Sequence, residues 1–257
     1  MQTVIALALL APAAAFVAPA GPAAATAAFG AKDDLVALAE ANPDALGSAI
    51  GFWDPLGATN IDFWGLGEEG TIGYLRHAEI KHGRVAMAGF LGFCAGATPL
   101  VSGEHTFLPY KGYVAGCTPQ EQWDNIPLWG KLQIFTLIGM LESYGEGAGR
   151  PGGYVHYTKG GQPGYFPEIK GRAGFGQVGL NLWDPFGLPG GPSSQSAEQK
   201  ERGLKVEVNN GRLAMIGLFS ILSYSKGLIV PGLDLFPDFP KYSGDVMVPF
   251  SADFTLY

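Results

Sequence analysis

The chain reads as an all-α membrane protein with three transmembrane helices, the first and third long, tilted and crossed about a pseudo-two-fold axis. Composition is the first reason: 47% of the residues are hydrophobic, only 15% are charged, and 39 of 257 are glycine, a balance unusual for a water-soluble enzyme. A repeat is the second. Glu79-Ile80-Lys81-His82-Gly83-Arg84-Val85-Ala86-Met87 returns as Glu207-Val208-Asn209-Asn210-Gly211-Arg212-Leu213-Ala214-Met215, with Glu, Gly, Arg, Ala and Met at matching positions. Third, the phrase Trp53-Asp54-Pro55 ahead of the first copy returns as Trp183-Asp184-Pro185 ahead of the second. The duplicated unit is therefore a turn, a loop and a charged helix, and such duplication implies a pseudo-two-fold relation between two similar helices.

Residues 1 to about 30 are Ala-rich, with an apolar run from Val4 to Leu10 and almost no charge before Lys32. They read as a targeting segment, leaving residues 31–257 as one three-helix domain. The first long helix is expected over about 71–97, with Pro99 closing it. About 26 residues at roughly 1.5 Å each exceed a hydrocarbon core of about 30 Å, so this helix spans a bilayer at a tilt. Ala88, Gly92 and Gly96 recur at every fourth position and make a smooth strip for close helix contact. The middle helix is expected over about 128–144, ending in Gly145, Gly147, Gly149 and Pro151. A long Gly/Pro-rich connection over 150–195 follows, a length that is usually functional or disordered. Ser196-Ala197-Glu198-Gln199 reads as a capping box opening the third helix, expected over about 197–226.

The net charge of −7 offers no basic surface, and neither a basic-aromatic cluster nor a glycine-rich phosphate loop stands in the chain, which sets nucleic acid aside. Cys94 and Cys117 lack metal-ligand spacing and read as packing residues.

The charges of the repeat need a reason. Helical positions five apart point about 140° away from each other and positions three apart about 60°. Glu79 and His82 share a face; Arg84 points elsewhere. An unpaired charge near the membrane centre costs about 2.5 to 3.5 kcal/mol. Duplication supplies the partners: Glu79 is expected to pair with Arg212, and Glu207 with Arg84. His82 and Asn210, one turn after each Glu, are not needed for the pairs, and each offers a neutral donor atom to a metal. A carboxylate balanced by Arg can also lend its second oxygen to a metal. The blander alternative makes Asn210 a helix-packing residue and His82 a surface residue. A di-iron oxidase would need a second Glu-x-x-His and two further glutamates; here the second copy is Glu-x-x-Asn and the middle helix supplies only Glu142. A transporter would need a midspan Gly/Pro break that the long helices lack.

These motifs resemble the light-harvesting chlorophyll-binding protein family across nearly the whole mature chain: Glu-x-x-His-Gly-Arg at 79–84, Glu-x-x-Asn-Gly-Arg at 207–212, the paired Trp-Asp-Pro turns, and a middle helix with Gly139-Met140-Leu141-Glu142. Within it, His156-Tyr157-Thr158-Lys159-Gly160-Gly161, Leu182-Trp183-Asp184-Pro185-Phe186-Gly187 and Gly244-Asp245-Val246-Met247-Val248-Pro249-Phe250 are most similar to the fucoxanthin chlorophyll a/c branch of red-lineage algae. Ala13-Ala14-Ala15-Phe16-Val17-Ala18-Pro19 resembles the plastid cleavage signature of such algae. The resemblance implies an antenna, not an enzyme, that binds chlorophyll a, chlorophyll c and a xanthophyll such as fucoxanthin or diadinoxanthin. It implies axial magnesium ligation by Glu79, His82, Glu142, Glu207 and Asn210, with Arg84 and Arg212 as cross-helix partners. Gln133 is implied as a ligand, directly or through water, or as a packing residue. Asp54 and Asp184 are implied to hold carotenoid end groups, which is compatible with a plain turn role. The same resemblance implies thylakoid lipids, a photosystem core (I or II) and neighbouring antenna subunits as partners, with three spans and a stromal N-terminus. A photoprotective, energy-dissipating member is the competing role. Many members carry a glutamine where this chain has Tyr224; His77, His105 and His156 lie outside the family's ligand positions.

Overall fold

The computed structural model describes residues 32–41, 51–62, 64–104, 110–148, 153–167, 186–187, 191, 194–236, 238–245 and 248–250. Among them the regular structure is helical, with no strand. Six α-helices are present among the described residues: α1 Lys32–Ala41, α2 Gly67–Gly96, α3 Pro99–Ser102, α4 Pro119–Asp124, α5 Leu128–Gly145 and α6 Ala197–Ser225. The expected targeting segment lies outside the described residues.

α2 begins at Gly67 rather than Thr71, because the Asp62 carboxylate accepts from the amides of Leu66 (2.8 Å) and Gly67 (3.1 Å) and from the Thr71 hydroxyl (3.3 Å). A carboxylate at that end meets free N–H groups and the positive pole of the helix dipole. α6 opens on a reciprocal cap in which Ser196 N–H donates to Gln199 Oε1 (2.9 Å) and Gln199 N–H to Ser196 Oγ (3.3 Å). The three long helices contain 30, 18 and 29 residues. No helix among the described residues is long and apolar enough to cross a membrane, because Glu, Lys, His and Arg of the repeat interrupt the apolar sequence of α2 and α6.

The chain divides into two compact units, and each is built by itself. One contains Ala13–Val85 and Met140–Leu213. Here α2 meets α6 backbone to backbone: a Cβ built on Gly83 would lie 3.0 Å from Gly211 Cα, and one on Gly211 2.9 Å from Gly83 Cα. Only glycine allows that approach. The Tyr154–Pro167 segment packs on α2, with Tyr157 stacked on His77 (centroids 3.8 Å apart). A Cβ at Gly73 would collide with the Tyr157 carbonyl. This part of the long connection is thus tied to α2, while 168–185 lie outside the described residues.

The other unit contains Ala86–Gly139 and Ala214–Tyr257. Phe90 faces Gly217 and Leu218 faces Gly89, each as a large side chain against a small one. Gly92, by contrast, has open space where its Cβ would stand, so of the expected small-residue strip it makes no close contact. The C-terminal segment is fastened to the end of α6. Tyr242 N–H donates to Ser225 O (3.0 Å), Ser225 Oγ to Pro240 O (2.9 Å), and Tyr242 Oη to Asp124 Oδ2 (2.8 Å).

Candidate functional site

The repeat closes on itself as two ion pairs. Arg84 Nε donates to Glu207 Oε1 at 2.5 Å and Arg212 Nε to Glu79 Oε1 at 2.7 Å. Neither helix could supply both partners, since Glu79 and Arg84 leave α2 on different faces. The pairs are unequal. Side-chain exposure is 14% and 7% for Arg84 and Glu207, against 36% and 35% for Arg212 and Glu79. The extra partner is on the loop: Arg84 Nη1 donates to Gly164 O at 2.7 Å. Arg84 therefore ties α2 to α6 and to the connection after α5. In both pairs the second carboxylate oxygen makes no hydrogen bond among the described residues.

His82 and Asn210 sit beside these pairs and are exposed. His82 Nδ1 lies 2.8 Å from the Ala78 carbonyl, so Nδ1 carries the proton and donates, leaving the Nε2 lone pair directed outward. Asn210 makes no side-chain hydrogen bond among the described residues. One turn on from each stands a large exposed apolar residue, Val85 (68% exposed) and Leu213 (70%). A donor atom on an exposed apolar face suits an apolar ring that carries a metal.

The middle helix brings a second set of charges. Glu142 Oε2 accepts from Lys81 Nζ, and Glu146 Oε1 stands 3.6 Å from the same ammonium. Glu146 is a hub: its Oε2 bonds His156 Nε2 (2.9 Å) and accepts from Tyr157 Oη (3.0 Å). Burial alone would raise the Glu146 carboxyl, but these hydrogen bonds and Lys81 outweigh it and hold it below the usual carboxylate range. Both His156 ring nitrogens are engaged, Nδ1 by Thr158 Oγ1 at 2.7 Å. His77 is buried, accepts from Gly164 N–H at Nδ1 (3.0 Å), and turns Nε2 toward Glu146 Oε1 at 3.9 Å. Sequence reasoning set these two histidines aside and overlooked Lys81 and Glu146. The available signal was in the repeat itself, where Lys81 stands opposite Asn209.

The remaining expected residues lie apart from this cluster. Gln133 is exposed on α5 and makes no side-chain hydrogen bond among the described residues. Asp54 accepts from the amides of Ala58 (2.9 Å) and Thr59 (3.0 Å) and from the Thr59 hydroxyl (2.7 Å). The Thr59 hydroxyl foremost, with the two amides, holds this carboxyl below its usual range. Its local role is to hold the turn. Asp184 and His105 lie outside the described residues. Tyr224 is 8% exposed, with Lys241 Nζ 3.7 Å above its ring and Phe239 edge-on at 5.1 Å. The chain's own C-terminal segment fills that position.

Among the described residues no group of three or more His, Cys, Asp or Glu is arranged to hold a bare metal ion, which a di-iron centre would require. What the site offers is single donors, three of which, on His82, Glu79 and Glu207, have their other polar atom already committed. That pattern fits a metal whose remaining ligands come from its own macrocycle. The family described as chlorophyll A-B binding protein matches residues 39–225. Among the relatives, fucoxanthin-chlorophyll a-c binding protein D of Phaeodactylum tricornutum is 30% identical over 234 residues, 88% of this chain and 96% of the relative. Protein E of Macrocystis pyrifera is 26% identical over 177 residues, 69% of this chain and 70% of the relative. The fucoxanthin-chlorophyll a-c binding protein of Trieres chinensis is 30% identical over 186 residues, 69% of this chain and 74% of the relative. With a donor set that suits pigment magnesium and a family match over most of its length, the chain belongs to the chlorophyll a/b-binding protein family.

Proposed function

We propose that the α2–α6 pair holds chlorophyll through Glu79, His82, Glu207 and Asn210, with Glu142 on α5 as a further ligand and Gln133 as another, directly or through water. The protein is a light-harvesting antenna of chlorophyll a, chlorophyll c and fucoxanthin-type carotenoids. The observation that carries the ligand reading is the repeated commitment of one polar atom and release of the other: His82 Nδ1 on Ala78 O, Glu79 Oε1 on Arg212, Glu207 Oε1 on Arg84. Bound chlorophyll supplies light absorption and transfer of the excitation to a neighbouring pigment. The residues of this chain fix where each pigment stands and set its local charge. Arg84 and Arg212 each hold one oxygen of their glutamate and orient the carboxylate, and Ala78 holds the His82 ring in one tautomer. Asp54 and Asp184 are the proposed carotenoid contacts. No proton transfer or bond cleavage is asked of any residue.

We place the protein in the plastid thylakoid as three spans, α2, α5 and α6, with α2 and α6 tilted and crossed about a pseudo-two-fold axis. The N-terminus is stromal and residues 1–30 are removed as a presequence from the 31–257 domain. Thylakoid lipids, a photosystem core and neighbouring antenna subunits are its partners. Average hydropathy counts each charge of the repeat as free, whereas four of them are joined in pairs that offset most of the insertion cost. Exposed apolar residues along α6, Leu213, Ile216 and Phe219, are 70%, 67% and 74% accessible and suit lipid or pigment. Alkaline carbonate washing of thylakoids should leave the protein in the membrane pellet; release into the wash would remove the three-span reading.

Purified protein should show chlorophyll a and c bands, and light absorbed by its carotenoid should reappear as chlorophyll a fluorescence. Absence of chlorophyll bands would eliminate the antenna reading. His82→Ala should lose one chlorophyll per chain and keep its helical circular dichroism, since the ring makes one backbone hydrogen bond and lies on the surface. Unchanged pigment stoichiometry in that variant would show that His82 is not a ligand.

A further inference from the structure

Two features of the Lys81 region remain unused by that reading: the place where the repeat changes Lys81 to Asn209, and the ion pair between Lys81 and Glu142. Lys81 is 29% exposed and reaches two carboxylates, Glu142 and Glu146. Glu146 is already served by His156 and Tyr157, and its contact with Lys81 is the longer one, at 3.6 Å. Glu142 is different. Among the described residues its side chain is bonded to Lys81 alone, through Oε2, and Oε1 has no partner. Asn209, at the matching place on α6, is exposed and makes no side-chain hydrogen bond among the described residues. The lysine is therefore tied to the middle helix and not to the duplication.

Chemistry supplies the reason for a cation there. Magnesium in a chlorophyll is neutralised by its own dianionic macrocycle, so a carboxylate that ligates it brings one uncompensated negative charge. In a low-dielectric setting such a charge is costly unless a cation stands beside it. Glu79 and Glu207 solve this with an arginine from the other helix, each arginine on one oxygen. Lysine is a point charge without a planar fork, so it can hold Oε2 of Glu142 and leave Oε1 exposed.

We infer that Lys81 is the counterion that makes Glu142 a chlorophyll ligand, a cross-helix positioning residue equivalent in role to Arg212 for Glu79 and Arg84 for Glu207. The inference rests on the reading of Glu142 as a ligand given above. It also gives α5 its register on α2, since one ammonium reaches carboxylates at positions 142 and 146, one turn apart.

The test is pigment reconstitution of the full mature chain with chlorophyll a, chlorophyll c and fucoxanthin, counting pigments by chromatography and recording the absorption difference from the unsubstituted protein. Lys81→Met should lose one chlorophyll per chain, with the same difference spectrum as Glu142→Ala. Lys81→Arg should retain it. The double variant Lys81→Met/Glu142→Gln should regain it, because a neutral amide oxygen needs no counterion; this variant carries no unpaired charge and stays informative should Lys81→Met fold poorly. A full chlorophyll count in Lys81→Met, or no recovery in the double variant, would overturn the role of Lys81 and leave Glu142 as a ligand. A full count in Glu142→Ala would overturn the ligand reading, and the role of Lys81 with it.

Discussion

Arg84→Ala should leave little or no folded protein, while Arg212→Ala, the matching change in the other copy, should be recovered in reduced but measurable amount. The difference follows from burial. Glu207 is 7% exposed, so removing Arg84 strands a carboxylate with almost no access to solvent, a loss on the order of 3 to 5 kcal/mol. It also frees the Gly164 carbonyl and detaches the connection after α5 from α2. Glu79 is 35% exposed; after loss of Arg212 it is stranded less, and the cost is about 1 to 2 kcal/mol once that exposure is discounted. Thermal unfolding of pigment-reconstituted protein, followed by circular dichroism, should rank the variants in that order. Equal loss from both would show that the two pairs are energetically equivalent and that the loop contact carries nothing. The charge swap Arg84→Glu/Glu207→Arg should recover more protein than Arg84→Glu alone, because it restores the pair while leaving only the Gly164 contact changed.

Gly211→Val should separate α2 from α6. A Cβ on Gly211 already falls 2.9 Å from Gly83 Cα and 3.4 Å from its carbonyl carbon, and both are backbone atoms that no rotamer change can move aside. The helices must part by about an ångström or more, and overpacking of this kind costs about 1 to 3 kcal/mol for a single methyl and more for a branched side chain. Separation also lengthens both Arg–Glu pairs, which stand one position and four positions from the glycines along the helices. The expected result is loss of pigment from the helix pair together with a drop in melting temperature. Gly92→Val serves as the control, because its Cβ meets nothing within 4 Å; it should be close to neutral. If Gly211→Val were as stable as Gly92→Val, the glycine contact would not determine the helix spacing.

Much of this was legible beforehand. Spacing along a helix is a one-dimensional quantity, so the angular argument that parts Glu79 from Arg84 needed no coordinates and led to the reciprocal pairs. Capping is local too, and Ser196 with Gln199 could be read as the start of α6. The beginning of α2 was misread because its cap, Asp62, stands several residues upstream of the first apolar period. The contact strip was assigned to Ala88, Gly92 and Gly96 from periodicity, but periodicity cannot say which glycines face a neighbour: Gly92 meets nothing, and Gly83 and Gly211, inside the charged repeat itself, are the ones that meet backbone to backbone.

Duplication is recorded in the order of residues, and from it came the helical class, the family likeness, the ion-pair partners and the two unequal donors His82 and Asn210. Tertiary structure alone decided what makes the two ion pairs unequal and what Lys81 meets. α5 and the loop that follows it exist once in the chain and lie against α2, giving Arg84 its Gly164 carbonyl and Lys81 its two carboxylates. The physical reason is that an interaction between residues some sixty to eighty positions apart, such as Lys81 with Glu142 or Arg84 with Gly164, leaves no periodic trace in the sequence. It depends on where a third element packs, and only packing shows that.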